Sequence, residues 1–392
     1  MTEQTINAPP LRTKDGSIRV AFVRQVARAI DSADVAALRG LVGDLHESDL
    51  GAVLEALDPA KRPRLVELLG IDFDFTALTE VDDAVREEIL DELPPQTVAE
   101  GVRDIESDDA VAILEDLPKH EQAAILEQLP PPECVSLKRS LDYPEESAGR
   151  HMQTEFIAVP PAWNVGQAID YMRETAELPD HFYKLYVTDE DRHFLGAVPL
   201  DRLMRTKRPV PISDLVEDEK RQVRADEDQE EVARLFQRYD LVAVPVVDAD
   251  DRLVGVITFD DVTDVIEEEA EEDIKALGGV THDGELSDSV WTIARGRFNW
   301  LLINLGTAFL ASSVLGLFEG QLQKMVALAV LAPIVASQGG NATTQTMMVA
   351  VRALATQELG DANARRVILR ELLVGVLNGI AFAVITGIAA YV

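Results

Sequence analysis

Carboxylates are crowded into one short segment of this sequence. Six of the seven residues from Glu267 to Asp273 are acidic, and the surrounding apolar residues recur at helical spacing. Like charges three or four residues apart on a helix repel by roughly 0.2–0.5 kcal/mol per pair. A bound divalent cation would remove that repulsion, which makes this segment a candidate cation site. The alternative interpretation is an acidic helix face that is simply solvated.

A second group of polar residues interrupts a long uncharged stretch. No charged residue occurs from Met325 to Val351, yet Gly339 to Gln345 reads Gly-Gly-Asn-Ala-Thr-Thr-Gln. Polar side chains in such a stretch are tolerated where they face protein or water rather than lipid. Their oxygens, with backbone carbonyls freed near Gly339 and Gly340, suit a hard cation such as Mg²⁺. The alternative is close helix–helix packing through small residues.

The overall charge excludes one class of partner. The 392 residues include 70 Asp and Glu against 36 Lys and Arg, a formal net charge of −34. A phosphate backbone would be repelled by this surface, so we expect no nucleic acid partner. The single cysteine, Cys134, excludes an intrachain disulfide and fits a reducing compartment. The N-terminus has no apolar signal-peptide core, so we expect the long N-terminal part to stay in the cytosol.

The elements that must position these groups begin with a helical region. Residues 1–16 read as a flexible tail, and residues 17–142 as an all-α, superhelical N domain. Leu41-Val-Gly-Asp-Leu45 and Ile113-Leu-Glu-Asp-Leu-Pro118 have the spacing and the stop signals of short amphipathic helices. Their recurrence predicts a solenoid of stacked helix pairs, with an irregular helical bundle as the alternative.

Two similar α+β units follow, at residues 149–212 and 213–261. Each contains a helix, an apolar strand, a second strand with a glycine, and a closing helix, and such duplicated units usually pack as a pseudo-dimer. The second unit resembles a CBS domain, most clearly at Leu241-Val-Ala-Val-Pro-Val-Val-Asp248 and Leu253-Val-Gly-Val-Ile-Thr-Phe-Asp-Asp-Val262. The first unit resembles it more loosely. CBS pairs are sensor modules, and the resemblance implies ATP or another adenine nucleotide as a ligand.

The last part of the chain has the pattern of a membrane domain. Residues 262–285 read as an acidic connecting helix and residues 290–392 as an α-helical transmembrane region, whose uncharged stretches are about 20 residues long. The expected spans are about 298–318, 325–351 and 371–392. The excess of arginine places Arg295 and the loop Arg352–Arg370 in the cytosol. These features predict a multi-pass protein of the cell (inner) membrane whose large N-terminal part is cytoplasmic.

Together these parts resemble the MgtE family of magnesium channels and transporters. The most specific segments are Asp142–Arg150, Glu268–Ile274, Ala332–Gln345 and Val351–Ala355. The resemblance implies a homodimer in the lipid bilayer, with a helical N domain, a CBS pair, a connecting "plug" helix and five membrane helices per subunit. It implies Mg²⁺-selective transport that is shut off when intracellular Mg²⁺ binds to the acidic cytosolic parts.

The resemblance also assigns residues. The regulatory Mg²⁺ ligands that it implies in the second CBS unit and the plug helix are Asp228, Glu230, Asp240, Asp261, Asp264, Glu269, Glu272 and Asp273. The pair Asp108 and Asp109 is the candidate in the N domain. The residues that it implies near the ion pathway are Asn341 and Gln345, beside Gly339 and Gly340. Without Mg²⁺ the carboxylates should repel and loosen the sensor, so neutral substitutions at Asp261 and Glu269 are expected to leave the pathway open at high magnesium.

Two departures from the family pattern stand out. Thr343 occupies a position where many relatives have glycine, which puts the local backbone geometry in question. The sequence ends at Val392, inside the third apolar span, whereas the family's pore-lining aspartate lies in a fifth helix. We therefore expect a truncated chain.

Other functions stay open. They are an enzyme regulated by a CBS pair, an anion channel that carries CBS domains, a metal-sensing membrane anchor, and a Co²⁺ or Mn²⁺ transporter without this gating. No Ser/His/Asp set, Walker run or Cys/His metal spacing occurs in the sequence, which argues against an enzyme. The acidic cytosolic part and the lack of basic residues in the spans argue against an anion channel. Measured ion flux would separate a transporter from an anchor.

Overall fold

The chain forms two compact units, residues 1–267 and residues 268–392. The computed structural model describes residues 11–391 except 15, 176–177, 180, 218–219, 278–289, 325 and 356–363. The first unit contains a helical domain and two α+β units. The second contains long apolar helices.

Short helices make up the domain between residues 20 and 141. Their bounds, for α1 to α9, are Val20–Asp31, Val35–Val42, Glu47–Ala56, Arg62–Leu69, Asp83–Glu92, Pro95–Arg103, Ser107–Glu115, Lys119–Leu126 and Pro131–Leu141. Local signals start many of them. Pro95 and Pro131 occupy first helical positions, where the missing N–H costs nothing, and the Asp34 and Asp82 side chains each accept an N–H of the helix that they cap.

One hydrophobic core runs through these helices. It contains fully buried side chains such as Leu38, Leu54, Ile89 and Leu114. The helices pack mainly on near neighbours in sequence: α1 contacts α2 and α4, α6 contacts α7 and α8, and α9 contacts α7 and α8. Contact between successive helices is the geometry of a superhelix, so the predicted all-α superhelical N domain is confirmed.

Two α+β units of identical topology follow. The strands β1 to β6 are Ala158–Val159, Lys184–Thr188, Phe194–Pro199, Val223–Arg224, Ala243–Val247 and Leu253–Thr258. The helices α10 to α13 are Val165–Glu174, Leu200–Arg205, Gln229–Tyr239 and Phe259–Leu277. In each unit the short first strand pairs parallel with the second, which pairs antiparallel with the third. The predicted order of a helix, an apolar strand, a second strand with a glycine and a closing helix is confirmed in both α+β units.

The two α+β units pack against each other as a pseudo-symmetric pair. Phe194 donates its backbone N–H to the carbonyl oxygen of Asp251 (3.1 Å), and Leu253 donates to that of Arg192 (2.9 Å). Apolar side chains of both sheets, Tyr186 among them, form one shared core. The predicted pseudo-dimer is confirmed.

The C-terminal compact unit, residues 268–392, is built mainly from long helices with exposed apolar side chains. The helices α14 to α17 are Val290–Gly316, Glu319–Lys324, Val326–Ala355 and Ala364–Tyr391. Within the described residues, Ile293–Gly316 and Ala364–Ile388 are long and apolar enough to cross a membrane. The predicted span over 325–351, which α16 largely covers, stays a prediction. The predicted plug helix corresponds to α13 as far as Leu277, and residues 278–285 of that prediction lie outside the described residues.

Candidate functional site

The segment that joins the helical domain to the α+β pair lies along the second α+β unit. Gly149 donates its N–H to the carbonyl oxygen of Ala225 (2.9 Å). Further along, Gln153 and Val256 of β6 exchange two backbone hydrogen bonds of 2.9 Å each. The segment 143–155 is therefore hydrogen-bonded to the second α+β unit, and it directly follows the last helix of the helical domain.

Two acidic helix N-termini meet where the helical domain contacts the second α+β unit. The first turn of α7 carries Asp108 and Asp109, and the first turn of α13 carries Asp260 and Asp261. Acidic residues are favoured at these positions because the helix dipole is positive there. Asp261 is close enough to act electrostatically on both Asp108 and Asp109. The structure thus brings together three predicted ligands from distant parts of the sequence.

Asp108 is the most enclosed of these carboxylates, with 8% of its surface exposed. Its Oδ1 accepts the backbone N–H of Asp109 (3.0 Å), but its Oδ2 is buried without a hydrogen-bond partner among the described residues. Burial, followed by the charge of Asp261, raises the pKa of Asp108 well above its ordinary value. A buried carboxylate oxygen without a partner is costly, so the site is incomplete without a proton or a cation.

Asp109 and Asp261 share this environment. Burial raises the pKa of Asp109 to about 7, with further contributions from Asp261 and Glu106. Asp261 Oδ2 accepts the N–H (3.1 Å) and the hydroxyl (2.6 Å) of Thr258, so this oxygen caps α13. Burial nevertheless raises the pKa of Asp261, although the hydrogen bonds from Thr258 oppose the shift. Asp109 and Asp261 therefore bind a proton readily near neutral pH.

The arrangement suits a hard divalent cation that stays partly hydrated. Among the residues that the structure describes, no three His, Cys, Asp or Glu side chains converge as a complete metal site. Mg²⁺ keeps several of its waters and uses only one or two carboxylates per site. A Mg²⁺ ion between α7 and α13 would therefore be held by one or two of these aspartates and by water.

The acidic interface extends further along α13. Burial raises the pKa of Asp264, and the charges of Glu80 and Glu267 raise it further. Glu80, Glu106, Asp74 and Asp260 act on the aspartates of this interface and were not singled out by the sequence. They come from separate loops and helix ends, so no periodicity or motif connects them.

A cleft with the opposite charge lies between the two α+β units. It has a volume of about 200 Å³, and its charged lining residues are Lys184, Arg202, Glu217 and Arg221. Lys184 Nζ lies 3.2 Å from a carboxylate oxygen of Glu217, and the Arg221 guanidinium lies 4.3 Å from the centre of the Tyr239 ring. Among the lining residues that the structure describes, three cations face one carboxylate, so this cleft suits an anionic ligand.

Comparison with known protein families agrees with this architecture over most of residues 45–268 and over residues 332–392. Residues 45–146 match the MgtE intracellular N domain, and residues 148–208 and 212–268 each match the CBS domain. Residues 332–392 match the MgtE divalent cation transporter domain. The chain belongs to the MgtE family.

Individual MgtE proteins resemble the chain over different lengths. The magnesium transporter MgtE of Bacillus subtilis is 28% identical over 354 residues, which are 90% of this chain and 78% of that protein. That of Thermus thermophilus is 37% identical over 247 residues, which are 62% of this chain and 54% of that protein. A crystal structure of the cytosolic domain of the Mg²⁺ channel MgtE in complex with ATP is 29% identical, with a TM-score of 0.57 over 62% of this chain and 99% of that chain.

Other residues that the MgtE resemblance assigned are not brought together. Asp228 caps α12 and accepts the N–H of Glu230 (2.9 Å), and Glu230 pairs with Arg234. Asp240 ends the same helix, in a left-handed conformation with φ 51°. A helix of 11 residues separates Asp228 from Asp240 by roughly 18 Å, so one ion cannot bind both.

The ligands predicted on the plug helix at Glu269, Glu272 and Asp273 lie in the C-terminal compact unit, residues 268–392. Glu269 and Glu272 are three residues apart on α13 and therefore share a face of the helix. Asp273 is part of the same helix, but its side chain lies outside the described residues. The assignment of these three residues stays a prediction.

The predicted pathway residues all lie on α16: Gly339, Gly340, Asn341 and Gln345. This helix is unbroken, and the carbonyl oxygens of Gly339 and Gly340 accept the hydroxyls of Thr343 (2.9 Å) and Thr344 (3.1 Å). The expectation of freed carbonyls at these glycines is therefore wrong. Asn341 and Gln345 are exposed and, four residues apart, share one face of the helix.

Proposed function

We propose that this chain takes part in Mg²⁺ transport across the cell membrane and that cytosolic Mg²⁺ controls the transport through the acidic domains. The observation that carries the proposal is the meeting of Asp108, Asp109 and Asp261 between the N domain and the second CBS unit. The names of the MgtE relatives support Mg²⁺ as the transported ion. In this proposal the chain is a multi-pass membrane protein, acts as a homodimer, and keeps residues 1–285 in the cytoplasm.

In the proposed gate, Mg²⁺ between α7 and α13 holds the N domain on the CBS pair. Without a cation the buried carboxylates repel, and two charges 4 Å apart cost about 1 kcal/mol in water and several times more at a partly buried interface. A free-energy change of about 5.5 kcal/mol moves a two-state equilibrium from 1:99 to 99:1. Several such pairs of repelling carboxylates together supply this free energy. Because α13 continues from this site into the acidic plug, docking of the N domain would set the state of the plug.

The remaining assignments belong to the same proposal. The proposed domains are the N domain (17–142), the CBS units (149–212 and 213–261), the plug helix (262–285) and the transmembrane region (290–392). Further regulatory cations would bind at Asp264 and on the plug at Glu269, Glu272 and Asp273. Asp228, Glu230 and Asp240 would form separate, weaker sites. Ions would pass α16 along the face that carries Asn341 and Gln345, next to Gly339 and Gly340.

Limited proteolysis of the chain in detergent tests the gate. Cleavage after Glu145 and Glu146, which are exposed within the joining segment, is followed with and without roughly 10 mM Mg²⁺, an excess over weak carboxylate sites. Potassium chloride matches the ionic strength of the control. We expect protection by Mg²⁺ and not by KCl, because only the divalent ion bridges α7 and α13. Equal cleavage in both salts would contradict the gate and would show that the acidic residues form a solvated surface. A separate measurement, Mg²⁺ flux into liposomes that contain the chain, tests transport itself.

We propose a second function for the CBS pair, the binding of an adenine nucleotide in the cleft lined by Lys184, Arg202 and Arg221. The positive lining favours this function because a nucleotide phosphate is the kind of anion that Lys and Arg bind. The CBS match supports it, as does the relative whose cytosolic domain was crystallised with ATP. The carboxylate of Glu217 pairs with Lys184, so it competes with a phosphate for this cation.

This competition predicts opposite effects of two substitutions. Lys184→Met should weaken ATP binding about tenfold, the effect of losing one hydrogen bond to a charged group. Glu217→Gln should tighten it by a similar factor of about ten, because the amide no longer competes for Lys184. Isothermal titration of the chain in detergent with ATP measures both, and Lys138→Met, at an exposed site on α9, is the control for charge. Equal affinity in all four proteins would contradict the assignment of this cleft.

A further inference from the structure

The first residue of helix α7, the helix that carries Asp108 and Asp109, is held by a side chain from another part of the chain. The side chain of Glu106, the residue before the helix, makes no capping hydrogen bond. Instead Glu155, 48 residues further along the chain, accepts both the backbone N–H (3.2 Å) and the hydroxyl (2.7 Å) of Ser107. A carboxylate at this end of a helix satisfies a free N–H and is favoured by the helix dipole. Glu155 thus caps α7 from the joining segment.

The neighbours of Glu155 hold the same helix end. Thr154 donates its N–H to Ser107 Oγ (2.7 Å), and Gln153 donates its side-chain amide to Glu106 (3.1 Å). Ser107 is 6% exposed, so its polar groups depend on these partners. We call Glu155, Thr154 and Ser107 the latch. None of the three is a predicted cation ligand.

The joining segment also fixes the latch relative to Asp261. Gln153 exchanges backbone hydrogen bonds with Val256 of β6. The approach is close: a Cβ on Gly255 would lie 2.5 Å from Met152 Sδ. Two residues after Val256, Thr258 ends β6 and binds Asp261. An unbroken series of direct contacts therefore connects the first turn of α7 with the first turn of α13.

We propose that Glu155 is a positioning residue of the cation site: by capping α7 it sets Asp108 opposite Asp261. The inference rests on the proposed Mg²⁺ gate, because it takes docking of the N domain as the response to the ion. The hydrogen bonds of the latch keep the start of α7 in its docked position even when no cation is bound. The latch therefore lowers the Mg²⁺ concentration at which docking is half complete.

The test compares this Mg²⁺ midpoint among variants of the chain in detergent, with cleavage after Glu145 and Glu146 as the readout. Glu155→Leu removes the acceptor and should raise the midpoint about fivefold, the effect of one lost hydrogen bond, while saturating Mg²⁺ still protects fully. Glu155→Gln keeps a carbonyl acceptor and should restore the wild-type midpoint. Glu190→Leu, at an exposed turn of the first CBS unit, makes the same change in charge and should have no effect.

Two results would overturn the positioning role. One is a wild-type midpoint in Glu155→Leu. The other is a midpoint in Glu155→Gln below that of the wild type, since this would show that Glu155 acts only as one more repelling charge. If Glu155→Leu does not fold, Glu155→Asp takes its place: it keeps the charge, shortens the side chain by one methylene, and should raise the midpoint.

A second measurement separates the latch from the gate. Hydrogen–deuterium exchange of the peptide that contains Ser107 is recorded in a chelator, where no divalent cation is bound. Loss of the acceptor in Glu155→Leu should speed exchange of this amide several-fold, about the effect of one hydrogen bond, and Glu155→Gln should not. Unchanged exchange would overturn the latch even if Mg²⁺ protects the wild type. If Mg²⁺ fails to protect the wild type but exchange responds as expected, the gate is wrong and the cap by Glu155 stands.

Discussion

The Asp261→Asn chain should keep its N domain docked on the CBS pair even in a chelator. Asp261 is half-buried where the first turns of α7 and α13 meet, and this burial raises its pKa, so its negative charge opposes docking. An asparagine removes the charge, retains an oxygen for the Thr258 hydrogen bonds, and offers an N–H₂ group to the unpartnered oxygen of Asp108. Removing one buried like-charge interaction should shift the docking equilibrium by a factor of about ten or more.

Protease protection without Mg²⁺ measures this effect. Asp201→Asn is the matched control, because it makes the same change in the first turn of α11, at an exposed position of the first CBS unit. The expectation from the sequence is an open pathway at high magnesium, and it requires the loss of Asp261 as a cation ligand to outweigh the loss of its repulsion. Rapid cleavage of Asp261→Asn both in a chelator and in saturating Mg²⁺ would show that ligation outweighs repulsion at this position.

Acid should replace Mg²⁺ in docking the N domain. The pKa of Asp109 is about 7 in the docked state, against an ordinary value of 3.8, and burial is the main cause. The docked state therefore binds more protons between these two values, so this contribution to docking is complete below about pH 4 and is lost as the pH rises to about 7. Asp108 and Asp261 shift in the same direction. In the absence of divalent ions, docking should be strong at pH 5 and weak at pH 8.

Energy transfer between two dyes follows this titration without a protease. The dyes are placed at Ile71→Cys in the N domain and Arg205→Cys in the first CBS unit, both exposed, in a Cys134→Ser background. The same labelled chain with Asp109→Asn and Asp261→Asn should show a much flatter pH dependence. Docking that strengthens from pH 5 to pH 8 in a chelator would contradict the sign of these pKa shifts.

Local structure could be predicted from the sequence because its signals are local. The helix Val165–Glu174 begins after Asn164, whose side chain forms a capping box with Gln167, and both signals are visible in the sequence. The strands of the CBS units alternate with turn residues in the same order twice, which identified the pair. The pattern around Gly339 was misread, because a glycine inside a helix costs only about 1 kcal/mol and two threonine hydroxyls bond to the carbonyls there.

The candidate site could be predicted only in part. Residue types and the MgtE resemblance identified Asp108, Asp109 and Asp261, but their meeting depends on packing between segments about 150 residues apart in the sequence. No sequence motif identifies Glu155, because it caps a helix to which it does not belong. The same resemblance assigned Asp228 and Asp240, which lie at opposite ends of α12.

The reciprocal hydrogen bonds between the turns at Arg192 and Asp251 bear on how the CBS pair folds. Each turn receives an N–H from the strand of the other unit, and both residues have positive φ, 67° and 59°. A single CBS unit would leave the carbonyl of its turn without this donor and one face of its sheet without its shared core. The two units should therefore form in one cooperative transition, and an intermediate with one unit folded and the other unfolded should not accumulate.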